Sequence, residues 1–138
     1  VFKKSINLKK WINMNLNQVT ISSLDVNKST EFHKTLGWKL IVDALPRYVR
    51  FECHDGDSTF SIHSVDALPD GNKITLYFEV DNLSETVSEL KQKGITFNTE
   101  ITEQPWLWKD VTLKDPDGHL ITIFNAGKNR KNPPWRIN

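Results

Sequence analysis

The two halves of the chain contain the same sequence signals for helices and strands in the same order. The signals of the second half recur at a constant offset from those of the first. Two candidate helix caps, Asp25 and Asn82, lie 57 residues apart, and two candidate helix-ending glycines, Gly37 and Gly94, have the same separation. A period this long is typical of paired modules rather than of a solenoid built from short repeats. The sequence therefore predicts two modules with the same order of elements.

The first module is predicted to contain a strand, a helix and three further strands. Asp25 is a favourable N-cap, and Gly37 tolerates the positive φ that ends many helices. The Asp-Gly pair within residues 54–57 is typical of a hairpin turn. The strands are predicted over residues 16–24, 38–43, 48–53 and 59–65, and the helix over residues 26–36.

The second module is predicted to repeat this order. Asn82 and Glu85 form a capping box at the start of its helix. Residues 115–118, Asp-Pro-Asp-Gly, predict a turn before the last strand, because proline presets φ and glycine accepts a positive φ. The strands are predicted over residues 73–80, 95–99, 111–113 and 120–124.

Composition limits the possible partners and compartments. The chain has 138 residues with 18 basic and 17 acidic side chains, so no strong field for nucleic acid or a membrane surface is expected. No run approaches the ~20 apolar residues of a membrane helix. Cys53 is the only cysteine, which excludes an internal disulfide, and we expect it to be a buried small side chain in a cytoplasmic protein.

Segments at both ends are interpreted as additions to a central domain of residues 15–126. Residues 1–14 form an N-terminal extension, expected to be frayed or docked, with binding to a membrane surface as the alternative. Residues 127–138 form a basic tail whose two prolines favour an extended strap. We expect Trp135 to dock on its own subunit or on a partner subunit, and a role in covering a cleft is the alternative.

The motifs occur in an order that resembles a known superfamily. Leu-Asn-Gln-Val-Thr-Ile opens the first strand at residues 16–21, Leu-Gly-Trp ends the first helix at 36–38, and Asp-Pro-Asp-Gly-His precedes the last strand at 115–119. This combination resembles the vicinal oxygen chelate superfamily, which contains glyoxalases, bleomycin-resistance proteins, fosfomycin-resistance enzymes and extradiol dioxygenases. The resemblance covers residues 15–126, with module one at 15–66 and module two at 72–126. It implies an α+β fold in which tandem βαβββ modules form a curved mixed sheet around a cleft, with helices outside.

In metal-using members, the resemblance places ligands on the first and last strands of both modules. The corresponding positions here include Gln18, where the superfamily usually has His, and Thr75 and Thr122, where it has His and Glu. Hydroxyl groups are poor substitutes for imidazole and carboxylate ligands, so we expect no metal at this site. The alternative is a rearranged set of Gln18 and His63 with Glu79 or Glu52, which would support a metal-dependent lyase, isomerase or dioxygenase.

The resemblance also predicts which side chains line the cleft. Arg50 is placed to meet an anionic group, although an ion pair with Glu52 or Asp57 is an alternative. Trp106 and Trp108 would alternate on one face and act as stacking walls, unless they belong to the core or a dimer contact. The remaining inward-facing residues are predicted to be Gln18, Thr20, Ser61, His63, Thr75, Tyr77, Thr122 and Phe124.

Two other histidines are assigned no chemical role. We expect His119, in the turn before the last strand, to be a solvent-facing spacer. His33, on the first helix, is expected to be half-buried or exposed. No serine-hydrolase pattern, phosphate-binding glycine loop or cysteine-rich zinc signature accompanies them.

The sequence therefore favours a metal-free binding protein, acting as a homodimer, that sequesters or senses a small organic molecule. The rival hypothesis is an enzyme of the glyoxalase type that uses a divalent metal. A third is a structural or regulatory protein whose cleft has collapsed. The residues do not identify the ligand.

Overall fold

The computed structural model of the chain describes residues 16–70 and 74–137. Its elements follow the predicted order, with short additions near the end. The first module contains β1 (Gln18–Ser23), α1 (Val26–Thr35), β2 (Lys39–Ala44), β3 (Tyr48–Glu52) and β4 (Thr59–Ser64). The second contains β5 (Thr75–Glu79), α2 (Leu83–Gln92), β6 (Thr102–Glu103), β7 (Lys109–Lys114) and β8 (Leu120–Asn125), and α3 (Lys128–Lys131) follows.

The strands form two four-stranded mixed sheets of the same topology. The strand orders are β1-β4-β3-β2 and β5-β8-β7-β6. In each sheet the first and last strands of the module pair in parallel, and the other neighbours are antiparallel. A parallel pair needs a long crossover connection, and the module helix lies within it. The predicted α+β fold with two βαβββ modules is confirmed.

Both helices begin at the predicted caps. The Asp25 carboxylate accepts a hydrogen bond from the Lys28 amide at 3.1 Å, and the Asn82 side chain accepts one from the Glu85 amide at 3.1 Å. These bonds satisfy amides that have no partner within the first helical turn. Beyond the helices, Gly37 has a φ of 103° and the equivalent glycine of the second module has 92°.

The apolar core consists of two clusters, and each contains a residue from the other module. Leu36, at the end of α1, is buried in the cluster formed by α2, β7 and β8. Leu76, on β5, is buried in the cluster formed by β1, β3, β4 and α1. At their boundary the rings of Trp38 and Phe78 lie 4.3 Å apart. The modules therefore share one continuous packing arrangement.

The predicted strand over residues 95–99 is not present. Ile95 is buried and Phe97 is partly buried against the core, which explains the alternating pattern in this segment. However, only the Asn98 amide bonds to a backbone carbonyl of β7, that of Thr112, at 2.7 Å. The short edge strand instead lies at Thr102–Glu103. Alternation alone did not distinguish a packed loop from a strand.

The last residues also differ from the expected extended strap. Lys128–Lys131 form one helical turn, and Arg130 lies 3.6 Å from the Glu79 carboxylate. Trp135 is 56% exposed, so it does not dock fully on its own subunit. The N-terminal extension predicted for residues 1–14 lies outside the described residues.

The turn at residues 115–118 folds back against the first module, and this overturns the prediction for His119. Its side chain is 7% exposed, and Nε2 donates a hydrogen bond to the Ser22 carbonyl at 2.7 Å. Asp117 accepts a hydrogen bond from the Leu24 amide at 2.8 Å. These contacts join residues almost a hundred positions apart, so no local pattern could indicate them.

His33 is also wrongly predicted, since it is fully buried rather than half-buried or exposed. Its Nδ1 donates to the Ser29 carbonyl at 2.8 Å, and its Nε2 faces the Asp115 carboxylate at 3.9 Å. His33, Asp115, Asp117 and His119 are called the inter-module cluster below. The cluster lies where the turn of the second module packs against α1 and β1.

No helix within residues 16–70 and 74–137 has the length and apolar character needed to span a membrane.

Candidate functional site

The candidate site lies on the face of the second sheet that is turned away from the core. Alternate residues of β7 and β8, such as Val111 and Ile121, are buried in the apolar cluster. Their neighbours in sequence point to the opposite face. There the register places Tyr77 beside Thr122, and Thr122 beside Thr112. This row of hydroxyl groups forms the floor of a cavity.

The cavity has a volume of about 460 Å³. This is within the range of about 300–1,000 Å³ that is usual for small-molecule sites. Its walls are mainly aromatic, with threonine hydroxyls and one carboxylate among them. The lining residues are Tyr77, Trp106, Trp108, Asp110, Thr112, Leu120 and Thr122.

Three rings form a preassembled aromatic wall. Trp108 stacks on Phe124 with centroids 4.4 Å apart and an interplanar angle of 14°. Tyr77 meets both rings edge-on, at 6.2 Å from Trp108 and 6.1 Å from Phe124. Offset-stacked and edge-on geometries are the favoured arrangements of aromatic pairs. The indole N–H of Trp108 also donates to the Asn129 carbonyl at 3.4 Å, which links this wall to α3.

The two tryptophans reach the cavity from a turn rather than from an extended segment. The Gln104 amide donates to the Trp108 carbonyl at 2.7 Å, which closes the connection between β6 and β7. Within it, Leu107 has a φ of 69°, a conformation that L-residues rarely adopt. The turn places Trp106 at the rim, where it is 45% exposed. The expected alternation along a strand is therefore not the reason that both rings line the cavity.

Asp110 was not identified from the sequence. It is 8% exposed, and its Oδ1 accepts a hydrogen bond from the Gln104 side-chain amide at 3.0 Å. An acidic residue directly before the apolar Val111 is the signal that was available. Because β7 alternates, this position had to share a face with Thr112.

The other acid on this face of the sheet is Glu79, and its charge is already compensated. Its Oε2 accepts hydrogen bonds from the amides of Ala126 at 2.7 Å and Gly127 at 2.8 Å. Its Oε1 lies 3.6 Å from Arg130 Nε. Glu79 therefore anchors the start of the tail.

A separate polar network lies on the first sheet. Gln18 donates to Ser61 Oγ at 2.7 Å, Tyr48 bonds to the same hydroxyl at 2.6 Å, and Arg50 Nε donates to Tyr48 OH at 3.0 Å. Gln18 also accepts a hydrogen bond from the Thr59 hydroxyl. Burial raises the pKa of Tyr48, but the bonds from Ser61 and Arg50 and the Arg50 charge outweigh it, so the pKa lies below its usual value.

The predicted site residues therefore do not share one cavity. Gln18, Arg50 and Ser61 belong to the network on the first sheet, and Thr20 lines a second cavity of about 120 Å³. His63 is exposed at the end of β4, with Nε2 3.3 Å from Ser22 Oγ. Thr75 is half-buried on β5, and Phe124 lies behind Trp108. Tyr77, Trp106, Trp108 and Thr122 line the larger cavity.

The residues at the expected ligand positions do not fit a divalent metal. Gln18 is bonded to neighbouring side chains, and Thr122 contributes a neutral hydroxyl to the cavity floor. Of the rearranged set, Glu79 anchors the tail and Glu52 lies 3.8 Å from Lys39. Among residues 16–70 and 74–137, no three His, Cys, Asp or Glu side chains are grouped so as to hold an ion. Such a site needs carboxylate, imidazole or thiolate ligands arranged around one point.

The two-module fold identifies the family of the protein. The family model of the glyoxalase-like domain matches residues 16–126, and the chain belongs to this family. It is a member of the vicinal oxygen chelate superfamily. No curated protein gives a significant match to the sequence.

Solved structures of the superfamily share the fold at low sequence identity. A glyoxalase/bleomycin resistance protein/dioxygenase from Nocardioides has a TM-score of 0.73 and 19% identity, over 97% of this chain and 96% of that one. A lactoylglutathione lyase from Agrobacterium tumefaciens has a TM-score of 0.70 and 13% identity, over 87% and 98%. A bleomycin-binding protein, solved in complex with bleomycin, has a TM-score of 0.67 and 18% identity, over 81% and 98%. At these identities the similarity establishes the fold alone.

Proposed function

We propose that this protein binds and sequesters a small organic molecule, without a metal, in the cavity of its second module. The observation that carries the proposal is the aromatic wall of Tyr77, Trp108 and Phe124 above a floor of threonine hydroxyls. Apolar walls with a few polar groups are typical of sites that bind organic ligands. The wall is already packed, so a ligand would not have to order these rings.

The chemistry of the side chains supports the metal-free part of the proposal. A glyoxalase-type enzyme would need ligands on the opening and closing strands. Here Gln18, Thr75 and Thr122 stand at three of those positions and offer an amide and two hydroxyls. The solved bleomycin-binding protein has the same fold, which is consistent with a binding role for this chain.

We also propose that the protein is a cytoplasmic homodimer. Large apolar side chains are exposed around and near the cavity mouth, including Tyr77, Trp106 and Leu107. A second subunit could cover them, since contiguous exposed apolar surface commonly marks an interface. A monomer mass in light scattering across a range of protein concentrations would contradict this proposal.

Binding is tested with a neutral aromatic probe, meta-tert-butylphenol, in a two-dimensional NMR titration. We expect the indole N–H signals of Trp106 and Trp108 to shift. Trp106→Ala should weaken binding about fivefold, since aromatic contacts of this kind contribute roughly 1 kcal/mol. It should leave the melting temperature nearly unchanged because the ring is at the rim.

Trp135→Ala is the matched control, since Trp135 is comparably exposed but lies in the tail. It should bind the probe like the wild type. No shift of either cavity tryptophan at millimolar probe would contradict the binding proposal. A large loss of stability in Trp106→Ala would assign that ring to the core.

The metal-free proposal is tested by elemental analysis of protein purified without a chelator. We expect far less than one zinc, nickel, manganese or iron ion per chain. Near-stoichiometric metal would instead favour a metal-dependent lyase, isomerase or dioxygenase. The control is the same protein dialysed against each ion and then against buffer, which reveals whether any ion is retained.

A further inference from the structure

The charge of the cavity restricts the kind of molecule it can hold. Among the described residues that line the cavity, Asp110 is the only acidic or basic one. The other side chains that line the cavity are aromatic, aliphatic or hydroxylic. An anionic ligand would therefore meet a like charge and no basic group among them, which is unfavourable.

Asp110 is nearly buried, with 8% of its surface exposed. Within residues 16–70 and 74–137, no Lys, Arg or His nitrogen lies within 4.0 Å of it. Its protein partner is the neutral amide of Gln104, on Oδ1. Glu79 on the same face, by contrast, has Arg130 and two backbone amides. Acidic residues are rarely so buried without a compensating charge.

The aromatic side chains that line the cavity favour the same sign of ligand charge. Tyr77, Trp106 and Trp108 line the cavity together with Asp110. The faces of aromatic rings attract cations through their quadrupole, and tryptophan does so most strongly. The same rings offer flat apolar surface to a planar group. The carboxylate and the rings thus favour one kind of ligand.

We propose that the ligand is an organic cation, an ammonium group attached to a flat apolar body, with Asp110 as its counter-ion. The ammonium group would lie against the carboxylate oxygen that Gln104 does not occupy, and the flat body against Trp106 and Trp108. This inference rests on the proposed function, because it requires the cavity to be the binding site.

The test compares three probes that differ only in one tetrahedral group. They are meta-hydroxyphenyltrimethylammonium, its neutral isostere meta-tert-butylphenol, and the anion meta-hydroxybenzenesulfonate. Affinities are measured by NMR titration of the tryptophan indole signals. We expect the cation to bind about tenfold more tightly than the neutral isostere, and the anion to bind most weakly.

Asp110→Asn removes the charge but retains an oxygen that can accept the Gln104 hydrogen bond. It should reduce the cation's affinity about tenfold and change the neutral probe's affinity much less. Glu103→Gln is the matched control, because it also removes one negative charge. Glu103 lies on β6 and pairs with Lys109, so its side chain is on the face of the sheet opposite to the cavity. It should bind all three probes like the wild type.

Salt provides a test that needs no variant, in case Asp110→Asn fails to fold. Raising the ionic strength should weaken binding of the cation and not that of the neutral isostere. Equal affinities for cation and neutral isostere, or an Asp110→Asn protein that keeps the preference, would overturn the inference while leaving small-molecule binding intact. Failure of all three probes to shift the cavity tryptophans would overturn both.

Discussion

The inter-module cluster makes the stability of the protein depend on one buried histidine. His33 has no solvent exposure, and its Nδ1 donates to the Ser29 carbonyl. The pKa of His33 is lowered from 6.5 to about 4, mainly by burial and to a lesser extent by the charge of His119. The Ser29 bond and the charge of Asp117 oppose this, and Asp115 is the other ionisable group facing the ring. The folded protein therefore holds His33 neutral at pH 7.

The sign of the pH effect follows from this difference between folded and unfolded states. Between pH 6.5 and about 4, the unfolded chain binds a proton at His33 that the folded protein does not. The free energy of unfolding must then fall as the pH falls through this window. From about pH 7.5 to about pH 5, the expected loss from this residue is about 2 kcal/mol.

Asp115 works in the opposite direction. Burial raises its pKa above the ordinary value, and hydrogen bonds from the amides of His119 and Asp117 only partly oppose this. A carboxyl group with a raised pKa in the folded state stabilises the protein as the pH falls. Asp115 therefore reduces the total change of stability with pH. The contribution of His33 has to be measured by comparing the wild type with a His33 variant.

The assay is urea unfolding of the wild type and His33→Gln at a series of pH values across this range. The variant starts from a lower stability, because the ring packs against Phe51 and Phe60. Its free energy of unfolding should nevertheless fall about 2 kcal/mol less than that of the wild type. His54→Gln, which changes an exposed histidine in a hairpin turn, should retain the wild-type pH dependence. Equal pH dependence in the wild type and His33→Gln would refute the reasoning.

Two further predictions concern the network on the first sheet and the turn that carries the tryptophans. Ser61→Ala removes a hydrogen bond that lowers the pKa of Tyr48. The pKa of Tyr48 should therefore rise in this variant, as measured by NMR of ring-labelled tyrosine. An unchanged or lower pKa would refute the assignment. Leu107→Gly should raise the free energy of unfolding by up to about 1 kcal/mol, because glycine adopts a positive φ without strain. Leu24→Gly, at an exposed residue outside the positive-φ set, is its control and should be neutral or destabilising.

The elements that the sequence predicted well are those determined by neighbouring residues. Asp25 and Asn82 cap the helices as expected, since a cap needs only a side chain and amides within one turn. The strand predicted over residues 95–99 was wrong, because the alternation of apolar residues there reflects packing against α2 and β7 rather than strand pairing. Only the tertiary structure distinguishes these two causes.

The same distinction explains the errors at the histidines. His119 follows a turn signal, and turns usually lie at the surface. Its burial comes from contact with Ser22, far away in the sequence. His33 is buried for a related reason, because the turn containing Asp115 covers α1. Neither contact can be inferred from the neighbouring residues in the sequence.

The candidate site was partly predictable. Tyr77 and Thr122 follow from strand alternation, because one face of β5 and β8 is clearly apolar. The sequence did not predict that the site residues would lie on two different sheets, because this depends on how the modules pack. Asp110 was missed because the predicted strand began one residue later.

The exchange of Leu36 and Leu76 between the two apolar clusters has a consequence for how the protein folds. Here each half completes its interior with a side chain from the other, so a chain cut in the linker would expose apolar surface on both fragments. The two modules therefore depend on each other, and the molecule should melt as one cooperative unit.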